Sequence, residues 1–526
     1  MRILAFDVGT SGVKGVVTDA EGRLLDSAFR SYGLRAKESG WVDQDLEEIL
    51  AATLEVGRAL AAGNPGIGGV SVTAQMFNVV PVDAAGRPLL PMLSWLDQRS
   101  AGEAVALAER MPPGEQFERL GSVVSAKDIL PKILWLRDRE PEVFARSVKL
   151  LDCKEAVVMW LTGVAVVDHA GASAYRLYDR ERRDWNWAVC QELGIPVQLL
   201  PEVRAATDVA GPIRDSLAAE LGLPPGTPVM VGAGDVPASQ AGSGAVGPGD
   251  VHVSLGTAIY FGVSMAQPGR DPAGRLGVIG HMDPNLWILW LEIATGGAAL
   301  AWIGRTLGVH ANGETDGRID GRIDGRIDYA RIDRLVAGCA DQMDDLIFAP
   351  WLSGERVPVF DDRARAAFVG LGLNHGPAHL LRAVMEGVAF QMRWALEYGQ
   401  AFGQPIGSIR AVGGGTIGTQ WIQILADVLG RPLHAVANPQ DAGALGAAAC
   451  ALVGLGHWPD FATLKERVAI ERTYQPDRAR MTAYTGRFAN YRRLYQALHP
   501  VYHRETPWPG RRPSAAPASW RRCEQV

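Results

Sequence analysis

Two short stretches constrain the fold of this chain most. Apolar Ile3–Phe6 runs into Asp7-Val8-Gly9-Thr10-Ser11-Gly12-Val13-Lys14 and then into a second β-rich run, Gly15–Thr18. About 250 residues later the arrangement returns: Asp250–Ser254, then Leu255-Gly256-Thr257-Ala258, then Ile259–Val263. Each reads as two strands joined by a polar glycine turn. A P-loop or a dinucleotide-binding start would place a helix after the glycines, so neither opens this chain. Two such hairpins predict two similar domains, each turning a Gly-Thr loop toward phosphate. With 526 residues the chain has room for both.

The first turn carries chemistry. Gly9 and Gly12 let the backbone bend and bring N–H groups toward an anion. Thr10 and Ser11 add hydroxyls, and Lys14 adds a positive charge. Asp7 has the wrong sign for phosphate but suits Mg²⁺ held through water. The plain alternative is an ordinary hairpin built of turn residues.

A third stretch is Val231-Gly232-Ala233-Gly234-Asp235-Val236-Pro237. Buried-looking Pro228–Val231 breaks at the glycines, and Asp235 stands where the backbone turns. A carboxylate beyond the C-terminal end of a buried strand is a frequent site of α/β chemistry. On this stretch alone, Asp235 reads first as the cap of a helix starting at Pro237.

Elsewhere, Asp45 and Glu48 form a capping pair for a helix reaching Ala62, and Asp97 is placed to cap the helix after it. Trp95 reads as core, or as a ring for the apolar face of a sugar. Glu292–Gly304 reads as the start of a helix. Gly242–Gly247 fits G-x-G-x-x-G but lies at an element boundary. Gly413–Gly418 fits it again, now between a strand and a helix, and leaves a dinucleotide-dependent oxidoreductase open; a missing β-α-β continuation weakens that reading. Asp316–Asp328 repeats Asp-Gly-Arg-Ile and reads as an expanded surface loop.

Bulk numbers exclude several classes. A net charge of −6 argues against a nucleic-acid binder. The five cysteines lack any C-x-x-C pair, which suits a reducing compartment. Ala442–Gly456 is too short to cross a membrane, and no leader precedes the first strand, so a cytoplasmic protein is expected. The ten histidines look scattered, without ligand spacing.

Taken together, these motifs resemble the FGGY carbohydrate kinases, with the xylulokinases nearest. The resemblance covers about residues 1–495 and is strongest at Ala366–Leu371, His379-Leu380 and Ala383–Glu386. Leu352–Arg356, Asp361, Gly234-Asp235, Ser254–Thr257, Gly413–Gly415 with Gln423 and Asp427, and Gly443–Ala448 match as well. The resemblance implies an α/β fold of two actin-like ATPase (ribonuclease-H-like) domains flanking a catalytic cleft. The first, 1–246, would bind sugar and carry the base. The second, 247–495, would bind ATP, and 496–526 would be a disordered tail.

It also implies roles. Asp235 would be the catalytic base, and Asp7 would organise Mg²⁺ at the phosphates. Gly256 and Thr257 would hold the β- and γ-phosphates. Gly297, Gly415 and Thr419 would line the nucleotide site. Gln75, Met76, Phe77, Trp95 and Val236 would border the sugar. Xylulokinases carry Gln-Met-His-Gly where this chain has Gln75-Met76-Phe77-Asn78, and Asn where it has Val236, so two polar sugar contacts are replaced by apolar ones. The expected partners are ATP and a small sugar or polyol, xylulose-like first, with another polyol or a sugar acid as alternatives. Neither nucleic acid nor membrane is expected, and a homodimer is a candidate assembly. A non-catalytic sugar sensor on the same fold is the competing reading.

Overall fold

A computed structural model describes residues 1–37, 40–269, 271, 275–310, 318–319, 322–323, 327–339, 345–401 and 406–503. The chain forms two compact units. One comprises Met1–Pro248, Ser264–Leu289 and Asp441–Val468; the other comprises Gly249–Val263, Trp290–Gln440 and Ala469–Val526. The single division expected at 246/247 therefore differs from the structure, in which the chain re-enters the first unit twice.

The two expected hairpins are present. Arg2–Val8 pairs antiparallel with Gly12–Thr18, and Val251–Leu255 with Ile259–Met265. The first sheet runs Leu24–Ser31, Gly12–Thr18, Arg2–Val8, Ile67–Ala74, Pro228–Met230, then Val209–Pro212. The second runs Gly277–Gly280, Trp287–Ile293, Ile259–Met265, Val251–Leu255, Ile409–Val412, Leu433–Val436, then Ile470–Tyr474. Each sheet is built around its hairpin and carries an antiparallel edge strand, Val209–Pro212 in the first and Ile470–Tyr474 in the second. In both sheets the hairpin's first strand lies parallel to its other neighbour, Ile67–Ala74 in the first and Ile409–Val412 in the second. This is the repeated mixed α/β domain that the duplicated hairpin predicted.

Alternation along the first strand explains its burial. Leu4, Phe6 and Val8 enter one apolar cluster with Leu46, Ile49, Val56 and Leu60 of the helix Leu46–Gly63. Ile3 and Ala5 enter another with Ala444, Ala447, Ala448 and Ala451 of the helix Ala442–Gly454. Helices on both faces require a strand apolar on both sides, as Ile3–Phe6 is. The alanine-rich run is thus a core helix, and its packing brings residues 441–468 into the first unit. Gly242 serves the same packing, because a Cβ there would collide with the carbonyl of Ala442. No helix among the described residues is long and apolar enough to cross a membrane.

Several local expectations are corrected. Glu292 lies in the strand Trp287–Ile293, and the helix starts only at Gly297; the β-favouring run Trp287–Leu291 outweighs the acidic residue. Asp97 caps no helix. Its carboxylate accepts from the Val42 and Arg99 backbone N–H groups at 2.5 and 2.9 Å and pairs with the Arg99 side chain. A β-α-β continuation does follow Gly413–Gly418: Ile409–Val412 lies parallel to Leu433–Val436, with the helix Thr419–Leu429 between them. The antiparallel hairpin at the centre of the same sheet still separates it from a dinucleotide-binding sheet.

Of the tail expected from 496, the first residues are helical instead, since the helix Arg478–Tyr502 continues through Pro500. Tyr495 Oη and His503 Nε2 reach Asp361, and Tyr502 Oη reaches the carbonyl of Arg365, which together hold its last turns. Residues 504–526 lie outside the described residues. So does most of the Asp-Gly-Arg-Ile repeat, of which Arg318-Ile319 and Arg322-Ile323 pair as two short strands.

Candidate functional site

In the first unit the site is built where three strands end. The Val231–Gly234 bend packs on Ile67–Ala74, with Ala233 beside Thr73 and Gly234 beside Ala74. Gly232 has φ +68°, and a Cβ there would run into the carbonyl of Val72, so only glycine fits. Beyond the bend Asp235 is the first residue of the helix Asp235–Gly242, and Gly234 occupies the cap position. Asp235 Oδ1 accepts only the N–H of its neighbour Val236, at 2.9 Å, which is not the reach to the next turn that defines a cap. The capping alternative is therefore set aside.

Burial, and next the charge of Asp7, push the Asp235 carboxyl up to about 8. Asp7 itself rises to about 6 through burial, opposed by the positive charge of Lys14. Two half-buried carboxylates that feel one another mark a place fit for a proton acceptor or a cation. The backbone of the core helix comes close to this pair, since a Cβ on Gly443 would strike Asp7 Oδ2.

The first hairpin divides its residues differently from the expectation. Lys14 faces Asp7 across the ladder, but its ammonium pairs with Asp441. Thr10 Oγ1 donates to Gln75 Oε1 at 3.2 Å and accepts from Trp95 Nε1 at 2.9 Å. Gln44 Nε2 donates to the Thr10 carbonyl at 2.9 Å, and Gln75 Nε2 to Gln44 Oε1 at 2.7 Å. Thr10 therefore joins the residues expected around the sugar rather than a phosphate group. Ser11 is exposed at the tip of the turn.

Gln75, Met76, Phe77, Trp95 and Val236 come together around this network. The Met76 side chain fills the space beside Gly234, and Val236 is buried. Trp95 is half-buried, and Lys127 Nζ lies 5.9 Å from its ring centroid. Phe77 has φ +67°, an unusual backbone state for a bulky residue. Asp152 holds it there by accepting from the Phe77 and Asn78 N–H groups at 2.8 and 3.0 Å, while Lys132 Nζ donates to the Phe77 carbonyl at 2.7 Å. Burial raises Asp152 to about 7 and lowers Lys132 to about 7.

Arg176 stands over the Phe77 ring at 5.6 Å and donates from Nε to Asp128 Oδ1 at 2.9 Å, while its buried Nη1 has no hydrogen-bond partner. Sequence reasoning missed Gln44, Asn78, Asp152 and Arg176. Their only signal was polarity beside apolar runs.

In the second unit Gly256 and Thr257 form the other hairpin tip, with Thr257 exposed. Gly297 N–H donates to the Gly256 carbonyl at 2.9 Å, while Gly296 and Ala298 N–H donate to that of Thr257 at 3.1 and 3.0 Å. The start of the helix Gly297–Thr306 is thereby fastened to the turn, and a Cβ on Gly297 would stand 2.5 Å from the Gly256 carbonyl oxygen. Gly415 likewise packs on Leu255, 2.7 Å from its Cβ by the same construction. Gly414, which sequence reasoning passed over, is the one that faces open space. Thr419 Oγ1 is already committed, donating to Asp333 Oδ2 at 3.0 Å.

Comparisons with known proteins place the chain in a family. Residues 2–242 match the FGGY family of carbohydrate kinases, N-terminal domain, and residues 251–455 match its C-terminal domain. The chain is 28% identical to a xylulose kinase of Escherichia coli over 95% of its length and 99% of the relative. It is 26% identical to a gluconokinase of Bacillus subtilis over 90% of its length and 91% of the relative. A crystal structure of xylulose kinase from Rhodospirillum rubrum superimposes with a TM-score of 0.87 at 28% identity, over 96% of this chain and 100% of that one. With both domain families matched and a strand hairpin in each of the two sheets, the chain belongs to the FGGY family of carbohydrate kinases, phosphotransferases that use ATP and an alcohol acceptor.

Proposed function

We propose that this chain transfers the γ-phosphoryl group of ATP to a hydroxyl of a xylulose-like ketose, with Asp235 as the base. The observation that carries this reading is the Asp235 carboxyl, raised to about 8 beside Asp7, because a base tuned toward neutrality serves proton abstraction best. The sugar hydroxyl gives its proton to Asp235 as its oxygen bonds to the γ-phosphorus. The bond from that phosphorus to the β–γ bridging oxygen breaks, and ADP leaves. Gln75, Thr10 and Gln44 supply the hydrogen-bonding wall, and Trp95 offers a ring face to the sugar carbons.

The donor set at Asp7 fits Mg²⁺: an oxygen ligand raised by burial, a second carboxylate that raises its neighbour, and no side chain at Gly443 to fill the space. When bound, the ion would neutralise phosphate charge. Thr257 with the Gly256–Gly297 junction supports a role in holding the β- and γ-phosphates, through a hydroxyl and backbone that point outward from a fixed turn.

A second reading, a sugar acid, is favoured by one observation. Arg176 sits against Phe77 with a buried, unpartnered Nη1, which suits a carboxylate better than a hydroxyl. ADP release measured over ketoses, polyols and aldonates decides between them. Turnover with xylulose that Arg176→Leu leaves intact supports the first reading. Turnover with gluconate that Arg176→Leu abolishes supports the second, and no sugar-dependent ADP release with any member of the panel refutes both.

A further inference from the structure

The helix Arg478–Tyr502 ends on a cluster that the kinase reaction does not use. His499 and His503 are one helical turn apart and lie on one face, their rings stacked at 4.2 Å between centroids. Asp361 faces them from the turn after Arg356, and one ligand atom from each of the three lies within 4.8 Å of the others. The histidine spacing, read above as scattered, is thus paired on the helix and completed by an aspartate 138 residues upstream of His499.

We propose that Asp361, His499 and His503 form a binding site for a divalent transition cation of the zinc class. Two imidazoles and one carboxylate are a borderline-soft donor set, which favours Zn²⁺, Co²⁺ or Ni²⁺ over Mg²⁺. Two histidines four apart on a helix present their rings to a single ion, as helix-borne zinc sites do. Bonds of about 2.0–2.1 Å would bring the donors to roughly 3.3 Å apart, a closure of the half-buried histidine rings that leaves the backbone in place.

The carboxylate is already oriented for this. Asp361 Oδ1 accepts from the Arg363 and Ala364 N–H groups at 2.9 and 3.1 Å, and Tyr495 Oη donates to Oδ2 at 3.0 Å. Such outer partners fix a ligand before the ion arrives. Three protein ligands leave a fourth position for water on the exposed side.

Bound there, the ion would clip the end of the helix to the Glu355–Asp361 turn, where the two residues exchange backbone hydrogen bonds at 3.0 and 2.8 Å. At present His503 Nε2 to Asp361 Oδ2, at 2.9 Å, is the histidines' link to that turn, beside the Tyr495 hydroxyl. The ion replaces that link with bonds to both histidines.

The test uses the untagged full chain stripped with EDTA. Co²⁺ titration should give a visible d–d band saturating at one equivalent, displaced by Zn²⁺ and not by Mg²⁺, and Zn²⁺ should raise the melting temperature. His499→Gln keeps the Asp361–His503 pair, so it should fold and melt like the parent in EDTA while losing both the band and the Zn²⁺-dependent rise. Tyr495→Phe, which removes an outer partner, should weaken Co²⁺ by roughly 10–100-fold. A parent chain with no saturable Co²⁺ band, or a His499→Gln chain with an unchanged one, overturns the site.

Discussion

Asp235→Asn separates what the carboxylate does for chemistry from what it costs the fold. The substitution keeps size and removes the proton acceptor. Loss of a positioned general base lowers turnover by about 10²–10⁴-fold, or roughly 3–5 kcal/mol of barrier. ATP affinity, measured by calorimetry, should stay unchanged, because Thr257, Gly297 and Gly414 lie in the other unit.

Stability should move the opposite way. The Asp235 carboxyl is raised from an ordinary value of 3.8 to about 8, so the folded state favours its protonated form. Stability from this group is therefore complete below about pH 4 and is lost as pH rises toward 8. Between pH 4 and 7 the loss reaches about 4 kcal/mol at most. Asparagine has no proton to lose, so Asp235→Asn should melt several degrees above the parent at pH 7 and together with it at pH 4. For the parent, kcat/KM should climb with pH through the free-enzyme value near 8 and lose this acidic limb in the variant. Undiminished turnover in Asp235→Asn, or an identical pH dependence of melting in the two proteins, refutes the assignment.

Three further substitutions probe the rest of the site. Gly443→Ala places a methyl against Asp7 Oδ2, so the Mg²⁺ activation curve should shift to higher concentration, and an unshifted curve would remove Asp7 from the cation's surroundings. Trp95→Phe keeps the ring but loses the 2.9 Å bond to Thr10 Oγ1, which should raise the sugar KM by about fivefold, or ~1 kcal/mol, with kcat nearly constant. Gly297→Ala crowds the Gly256 carbonyl and should raise the KM for ATP while leaving that for sugar alone; equal effects on both would point to general unfolding instead.

Much of the fold was legible because it is written locally. Alternating apolar strands, glycine turns and the Asp45 cap each depend on neighbours a few residues away, and the Asp45 carboxylate does accept from Glu47 N–H. Duplication of the hairpin gave the two-domain plan before any contact was known. The parts that misled were those where tertiary packing outweighs local preference. Asp97 looks like a cap but is spent on Val42 and Arg99, and residues from 496, expected in a tail, continue a helix held by Asp361.

By itself the sequence determined which residue types could do chemistry, that Asp235 and Asp7 stand at strand ends, and that a Gly-Thr turn recurs about 250 residues on. Only the tertiary structure decided which of those groups remain available. Lys14 is paired with Asp441, and the Thr419 hydroxyl donates to Asp333, partners hundreds or tens of residues distant. Thr10 is drawn to Gln75 and Trp95. Phe77 is fixed by Asp152 and Lys132 in a backbone state that no local signal announced. The physical reason is the same throughout. Local pattern sets where the backbone turns, whereas hydrogen-bond partners, burial and the charge felt by a carboxylate are set by whatever the fold brings within a few ångströms.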